Sequence, residues 1–192
     1  MIIFLETPRL VLRRFTEEDV DALVLLDSDP EVMAYISGGD PTPLEEIRDE
    51  TLPALLAEYE RGPVGRWAAH DRSTGAFAGW FALRPPSSGA AEEVELGYRL
   101  RREFWGRGLA TEGSRAIIDK GFADLGVKRV YAETMAVNTA SRRVMEKAGL
   151  TYVRTFYLEF DDPIDGTELG EVEYELLRAT WAAARVTGAT PG

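Results

Sequence analysis

Apolar and polar side chains recur along this chain with two different periods. Leu10, Leu12 and Arg14 alternate with Val11, Arg13 and Phe15, the two-residue repeat of a short strand. At Thr16 the pattern changes, because Thr16-Glu17-Glu18-Asp19 has the form of a helix N-cap followed by an acidic first turn. A helix to about Ser28 is the expected continuation. Pro30 and the glycine- and proline-rich residues 38–43 break the pattern. A charged, leucine-rich helix is expected over residues 44–61, closed by Gly62 and Pro63. Residues 67–71, 77–83 and 94–100 then form three extended runs, an antiparallel meander whose last connection, residues 85–91, reads as a longer, mobile loop.

From Gly106 the period lengthens. Ala110, Ser114, Ile117, Ile118, Gly121, Phe122 and Leu125 fall on one side of a helix, with Glu112, Arg115 and Asp119 opposite. Residues 129–134 read as a strand and 138–148 as a second helix, with Asn138 at its start and Gly149 at its stop. Residues 152–160 and 172–177 are expected strands bracketing an acidic hairpin loop. With neither repeat nor linker, residues 1–186 are expected to form a single domain, and the small-residue tail 187–192 to be disordered.

Composition narrows the chemistry. With 22 Lys and Arg against 33 Asp and Glu, the formal charge of −11 repels phosphate backbones and anionic membrane surfaces and favours a cationic acceptor. No cysteine is present, so disulfides, thiol nucleophiles and thiolate metal sites are excluded. The opening Met-Ile-Ile-Phe-Leu run is too short for a signal peptide or a membrane span, and a cytoplasmic location is the expectation. His70, the only histidine, lies in an expected strand far from the motifs, and a structural or surface role is expected.

The segment from Arg101 to Glu112, Arg-Arg-Glu-Phe-Trp-Gly-Arg-Gly-Leu-Ala-Thr-Glu, runs from a strand end through a glycine-rich turn directly into a helix. Such a turn presents backbone N–H groups and the positive end of a helix to anionic oxygens, and Arg102 and Arg107 are placed to add charge-assisted bonds to a pyrophosphate. Glycine is needed because a Cβ blocks close approach. Two better-known phosphate turns fail on the same letters. A dinucleotide fingerprint beginning at Gly106 and Gly108 wants its third glycine where Thr111 stands, and a nucleotide-triphosphate loop wants lysine where Ser114 stands.

Gly106-Arg-Gly108-Leu-Ala110-Thr111-Glu112 resembles the acetyl-CoA pyrophosphate loop of the GNAT superfamily, in the branch of the ribosomal-protein N-terminal acetyltransferases. Residues 6–15 resemble that branch's first strand, Glu95-Leu-Gly-Tyr98 its central strand, and residues 138–150 its final helix. The four motifs occur in order and cover roughly residues 6–178. The resemblance implies an α+β, three-layer fold, with a central, mostly antiparallel mixed sheet of about seven strands, a bulged and splayed central strand near Gly97, and helices on both faces. It also implies transfer of an acetyl group from acetyl-CoA to a primary amine, such as a protein N-terminus or a polyamine-like or aminoglycoside-like molecule. No metal, nucleic acid or membrane is expected to take part, and homodimerisation is plausible by analogy with the family.

The resemblance assigns Gly106, Arg107, Gly108, Ala110 and Thr111 to the pyrophosphate, Leu100 and Arg102 to the pantetheine arm through their backbone, and Asn138 to a second pantetheine contact. The chain departs from the superfamily at Trp105 and at Met145, where many members carry a catalytic tyrosine. Ser141, one turn earlier, then becomes the candidate partner of the departing thiolate and a further coenzyme contact. Glu95 is the candidate base, because a free alkyl ammonium, with a pKa of about 10.4, must lose a proton before it attacks. Arg99 shares the strand face of Glu95 and is the residue to watch for an alternative acyl group such as succinyl. A coenzyme-binding module without catalysis is the non-enzymatic alternative. Acceptor recognition is expected from the N-terminal helices, the loop at 85–91 and the hairpin at 159–168, and Tyr35, Trp67, Trp80 and Phe104 are candidates either for the acceptor cleft or for the core.

Overall fold

A computed structural model describes residues 2–86 and 92–187. The tip of the expected mobile loop, at 87–91, and residues 188–192 of the expected tail lie outside the described residues. Among the described residues, eight strands form one sheet: β1 (Ile3–Glu6), β2 (Leu10–Arg14), β3 (Gly65–Asp71), β4 (Phe77–Arg84), β5 (Glu93–Leu100), β6 (Arg129–Met135), β7 (Thr151–Phe156) and β8 (Glu171–Leu177). Their spatial order is β1-β2-β3-β4-β5-β6-β8-β7. All neighbours are antiparallel except β5 and β6, which run parallel. The extra strand relative to the pattern is β1, which pairs with β2 through Leu5 and Leu12. Four residues are too few to show a period.

Helices cover both faces, as the resemblance implied. On one side lie α1 (Val20–Asp27), α2 (Pro30–Met33) and a continuous helical stretch, α3 (Leu44–Glu46) to α4 (Leu52–Arg61), joined through a wider turn at Ile47–Thr51. On the other lie α5 (Leu109–Asp124) and α6 (Thr139–Lys147). Strand alternation sorts the apolar residues into two cores. Leu10, Leu12, Phe81, Leu83, Val94 and Leu96 pack beneath Ile117, Ile118 and Phe122 of α5 and Met145 of α6. Phe15, Ala68, Trp80 and Ala82 pack beneath Leu23, Leu26, Ile47, Leu52 and Leu55. Each fully buried Leu, Ile, Val, Phe or Met among them stabilises the fold by about 1.5–3 kcal/mol. Helix α5 sits so close to the sheet that a Cβ at Gly113 would overlap the Phe81 ring.

The chain closes with α7 (Arg178–Thr187), fixed by the Trp181 indole donating to Asp119 Oδ1 (2.6 Å) and by its ring against Phe122. Thr187, expected in the disordered tail, is thus the last residue of a helix.

The feature that positions the site is the junction of β5 and β6. Only Glu93, Val94 and Glu95 pair with β6, opposite Arg129, Val130 and Tyr131. Beyond Glu95 the strands part, while β5 stays paired with β4 as far as Leu100. The splay implied by the resemblance is therefore present, but the bulge expected at Gly97 is not: the β4–β5 register crosses Gly97 without a shift. Gly97 answers a different need, because a Cβ there would stand 3.3 Å from the Trp80 ring. The register shift falls between β3 and β4, at Ala69 and His70.

Candidate active site

Between β5 and α5 the backbone turns twice through the left-handed region, at Gly106 (φ 69°) and Gly108 (φ 76°), which other residues occupy only with strain. The first amide bonded within the helix is that of Glu112, donating to the Gly108 carbonyl at 3.0 Å. The amides of Leu109, Ala110 and Thr111 therefore have no helical partner. Those of Gly106, Arg107 and Gly108 meet no acceptor among the described residues. Six successive N–H groups are gathered at the positive end of a 16-residue helix, a ready-made anion site.

The turn is braced from outside. Thr7 Oγ1 donates to Glu112 Oε1 (2.6 Å), Arg9 Nε to Glu112 Oε2 (2.7 Å) and Arg9 Nη1 to the Arg107 carbonyl (2.8 Å). Burial pushes the Glu112 pKa up, but the bonds from Thr7 and Arg9 outweigh it and hold the carboxyl below its ordinary value. The two arginines expected at the pyrophosphate are engaged elsewhere. Arg102 pairs with Asp29 (3.4 Å) and Glu31, and Arg107 pairs with Asp71 (3.3 Å) while lying over the Phe104 ring. The open groups of the turn are backbone amides, and both guanidiniums already hold carboxylates.

Beside the turn lies the gap between β5 and β6. Arg101 N donates to the Ala78 carbonyl (2.9 Å), and this bond sets the phase of the ladder. With an unbroken register, Leu100, Tyr98 and Leu96 turn their N–H and C=O groups away from β4 and into the gap. The Leu100 carbonyl accepts from the Trp105 indole (2.8 Å), which leaves the Leu100 N–H and both backbone groups of Tyr98 facing the space. Trp105, where many superfamily members carry another residue, is thus a brace between the turn and the strand.

The gap's far wall is the start of α6. Asn138 Oδ1 accepts from Ser141 N (3.1 Å) and caps the helix. The Tyr98 hydroxyl donates to the Ser141 carbonyl (3.0 Å) and lies 2.8 Å from Ser141 Oγ. Burial raises the Tyr98 pKa to about 12, although the Ser141 bond opposes the shift, so the phenol stays neutral. Tyr98 was outside the sequence-derived set, yet it shares the Glu95-Leu-Gly-Tyr98 motif, and alternation puts it opposite Glu95, toward α6. Met145 is 2% exposed within the core, so the position of the superfamily's tyrosine is here a packing position.

The opposite face of the same strands is polar. Glu95 Oε1 accepts from Arg84 Nη2 (2.8 Å), and Glu95 stands in register with Tyr131 at the last pair before the splay. Glu133 follows two residues later on β6, on the side of Tyr131. Burial, then the nearby Glu95 and Glu173 charges, raise its pKa. Arg99 is bound to Asp27 (2.6 Å). Tyr35 is exposed, whereas Trp67, Trp80 and Phe104 are buried. His70 Nδ1 pairs with the Gly75 carbonyl (3.0 Å) at a turn, two strands from β5. The acidic hairpin reaches across this side: a Cβ at Gly38, beyond α2, would stand 3.0 Å from Ile164, and Gly166 lies against Val137 between β6 and α6.

The chain is similar to known proteins in sequence and in fold. The model of the acetyltransferase (GNAT) domain matches residues 9–151. The FsC-acetyl coenzyme A-N(2)-transacetylase of Aspergillus fumigatus is 39% identical over 184 residues, 92% of this chain and 77% of that protein. The uncharacterized N-acetyltransferase p20 of Bacillus licheniformis is 30% identical over 182 residues, 93% of this chain and 98% of its own. Among solved structures, a spermidine N-acetyltransferase from Vibrio cholerae, in complex with CoA and spermine, superposes with a TM-score of 0.75 at 17% identity, covering 92% of this chain and 99% of that one. A backbone anion site opening onto a splayed sheet, and a domain match over most of the chain, lead to one conclusion: this protein belongs to the GNAT family and is an acetyltransferase.

Proposed function

We propose that the protein transfers an acetyl group from acetyl-CoA to a primary amine by direct attack within a ternary complex. The observation that carries this reading is the row of amides from Gly106 to Thr111, open and adjoining the gap between β5 and β6. Two linked phosphates match such a row in charge and reach, and an extended pantetheine arm matches the inward-facing backbone of Tyr98 and Leu100. Asn138 lies at the helix end on the other side of the gap.

In this reading the thioester lies where the strands part. The Tyr98 N–H, turned into the gap, is the donor for the oxyanion of the tetrahedral intermediate. The amine approaches from the polar face, where Glu95 keeps Oε2 for the proton while Arg84 holds Oε1. Glu133, with its raised pKa, is the second carboxylate in reach of that proton path. On the other face, the Ser141 hydroxyl, held beside Tyr98, donates a hydrogen bond that stabilises the departing thiolate, which leaves as the thiolate of CoA. The alternative of a succinyl donor bound by Arg99 is disfavoured, because Asp27 already neutralises that guanidinium.

The acceptor is an amine admitted between the N-terminal helices and the acidic hairpin. Protein N-termini, polyamines and aminoglycoside-like molecules remain the classes to compare, and the CoA and spermine of the solved neighbour support the general chemistry. Incubation with acetyl-CoA and an amine panel, followed by free thiol, tests the proposal. Amine-dependent thiol release is the expected result; binding of CoA with no release for any amine overturns it in favour of a coenzyme-binding module.

A further inference from the structure

Arg66, on the polar face of β3, is a guanidinium whose hydrogen-bonding capacity the protein leaves unused. It is only partly exposed, its Nε is buried without a partner, and no ion pair or side-chain hydrogen bond among the described residues reaches it. It lies over Trp80, with Cζ 4.6 Å from the ring centroid. Two further arginines share this patch, and both are neutralised: Arg84 by Glu95 at 2.8 Å and Arg99 by Asp27 at 2.6 Å. Glu58 of α4 is the remaining charge close by; it forms no salt bridge with Arg66, and its own Oε2 is buried and unpartnered. Burial, and then the repulsion from Arg84, lower the Arg66 pKa, as expected of a cation short of counter-charge. Removing a charged group from water without a hydrogen-bonded partner is costly, and a ligand anion relieves that cost.

The location connects this cation with the reaction. Arg66, Ala82 and Gly97 lie in one row across β3, β4 and β5, so Arg66 stands about two strand spacings, roughly 10 Å, from the strand that splays. The Trp80 ring fills the interval: it touches the space above Gly97, carries Arg66, and has Arg99 at 5.4 Å. A long arginine side chain folded over that ring brings its nitrogens toward the amine's approach.

Resting on the acetyltransferase reading above, we propose that Arg66 is the cation of an anion subsite in the substrate pocket, taking a carboxylate that enters with the substrates. The carboxylate belongs to the acceptor, making the preferred amine one that also carries an acid, as in an amino acid. The same chemistry can arrive instead on the acyl group, as in succinyl-CoA, and the test separates the two sources.

The experiment compares Arg66→Met with the wild-type protein, using pairs of acceptors that differ only in carboxylate against carboxamide, each with acetyl-CoA and with succinyl-CoA. With an acceptor carboxylate, the variant raises KM roughly tenfold or more for the acid and leaves the amide unchanged, the loss typical of one charge-assisted contact. Arg66→Lys recovers part of the loss. If the variant is impaired only with succinyl-CoA, the carboxylate arrives on the acyl group. Equal effects on acid and amide with both donors, or no effect on any, overturn the proposal. A structural pairing with Glu58 would instead lower the melting temperature of both Arg66→Met and Glu58→Gln without any acid–amide difference. A second measurement does not depend on turnover: calorimetric titration of N-acetylglycine and N-acetylglycinamide into the CoA complex. Preference for the acid in the wild type, lost in Arg66→Met, supports the subsite even if no acceptor turns over, and equal binding of both probes counts against it.

Discussion

The two faces of the sheet are built from different materials. Toward α5 and α6 the site is backbone: unpaired amides at Gly106–Thr111, ladder groups of Tyr98 and Leu100 turned into a gap, and apolar packing that fixes both. Toward α1–α4 it is side chain: Glu95 with Arg84, Arg99 with Asp27, Glu133 beside Glu173, and Arg66 over Trp80. A site of the first kind suits the coenzyme of the proposed reaction, because peptide groups do not change with side-chain identity. The second is free to change one residue at a time, which suits an acceptor that differs from protein to protein.

This contrast predicts where substitutions hurt. The largest effect is structural and belongs to the coenzyme face. Gly113→Val drives methyl groups into Phe81 and lowers the unfolding free energy by about 3 kcal/mol or more, read from urea melts. Next, Glu95→Gln on the acceptor face lowers kcat about a hundredfold with CoA affinity unchanged. Equal loss in both would reduce Glu95 to a positioning role. Gly108→Val, which forces a branched residue to φ 76°, costs about 1–2 kcal/mol of strain and weakens CoA binding at least tenfold in calorimetry. Tyr98→Phe removes the bond to Ser141 at about 1 kcal/mol of stability; because the Ser141 hydroxyl stabilises the departing thiolate in the proposed reaction, kcat falls as well, and Ser141→Ala matches that fall.

The smallest effect concerns pH. Hydrogen bonds from the Ser73 side chain and the Thr74 and Ser73 amides hold the Asp71 pKa at about 2, against an ordinary 3.8. A depressed carboxylate stabilises the fold above the unfolded value, and that contribution disappears as pH falls from about 4 toward 2. Melting temperatures of Asp71→Asn and wild type should therefore differ at neutral pH and converge in acid.

The same contrast explains what was legible in the sequence. The glycine turn, the capped α6 and the meander were readable because each follows from a local rule: left-handed glycine, an Asn cap, two-residue alternation. The splay was also foreseeable, although not its form, since the uninterrupted β4–β5 register depends on Trp80 lying over Gly97, a contact between separate strands. Helix α7 carries one large anchor, Trp181, whose partner Asp119 is 62 positions away. The engagement of Arg102 and Arg107 by Asp29, Glu31 and Asp71 was equally hidden, because nothing in a local motif reports which distant carboxylate will arrive. Glu133 and Arg66 matter only because sheet order puts them beside Glu95 and Trp80.

A structure of the complex with CoA is the most direct test of the central claim. The account predicts pyrophosphate oxygens within about 2.7–3.2 Å of the backbone nitrogens of Gly106 to Thr111, with the pantetheine arm lying between β5 and β6. Phosphates held chiefly by side chains elsewhere, with those amides facing solvent or protein, would contradict it.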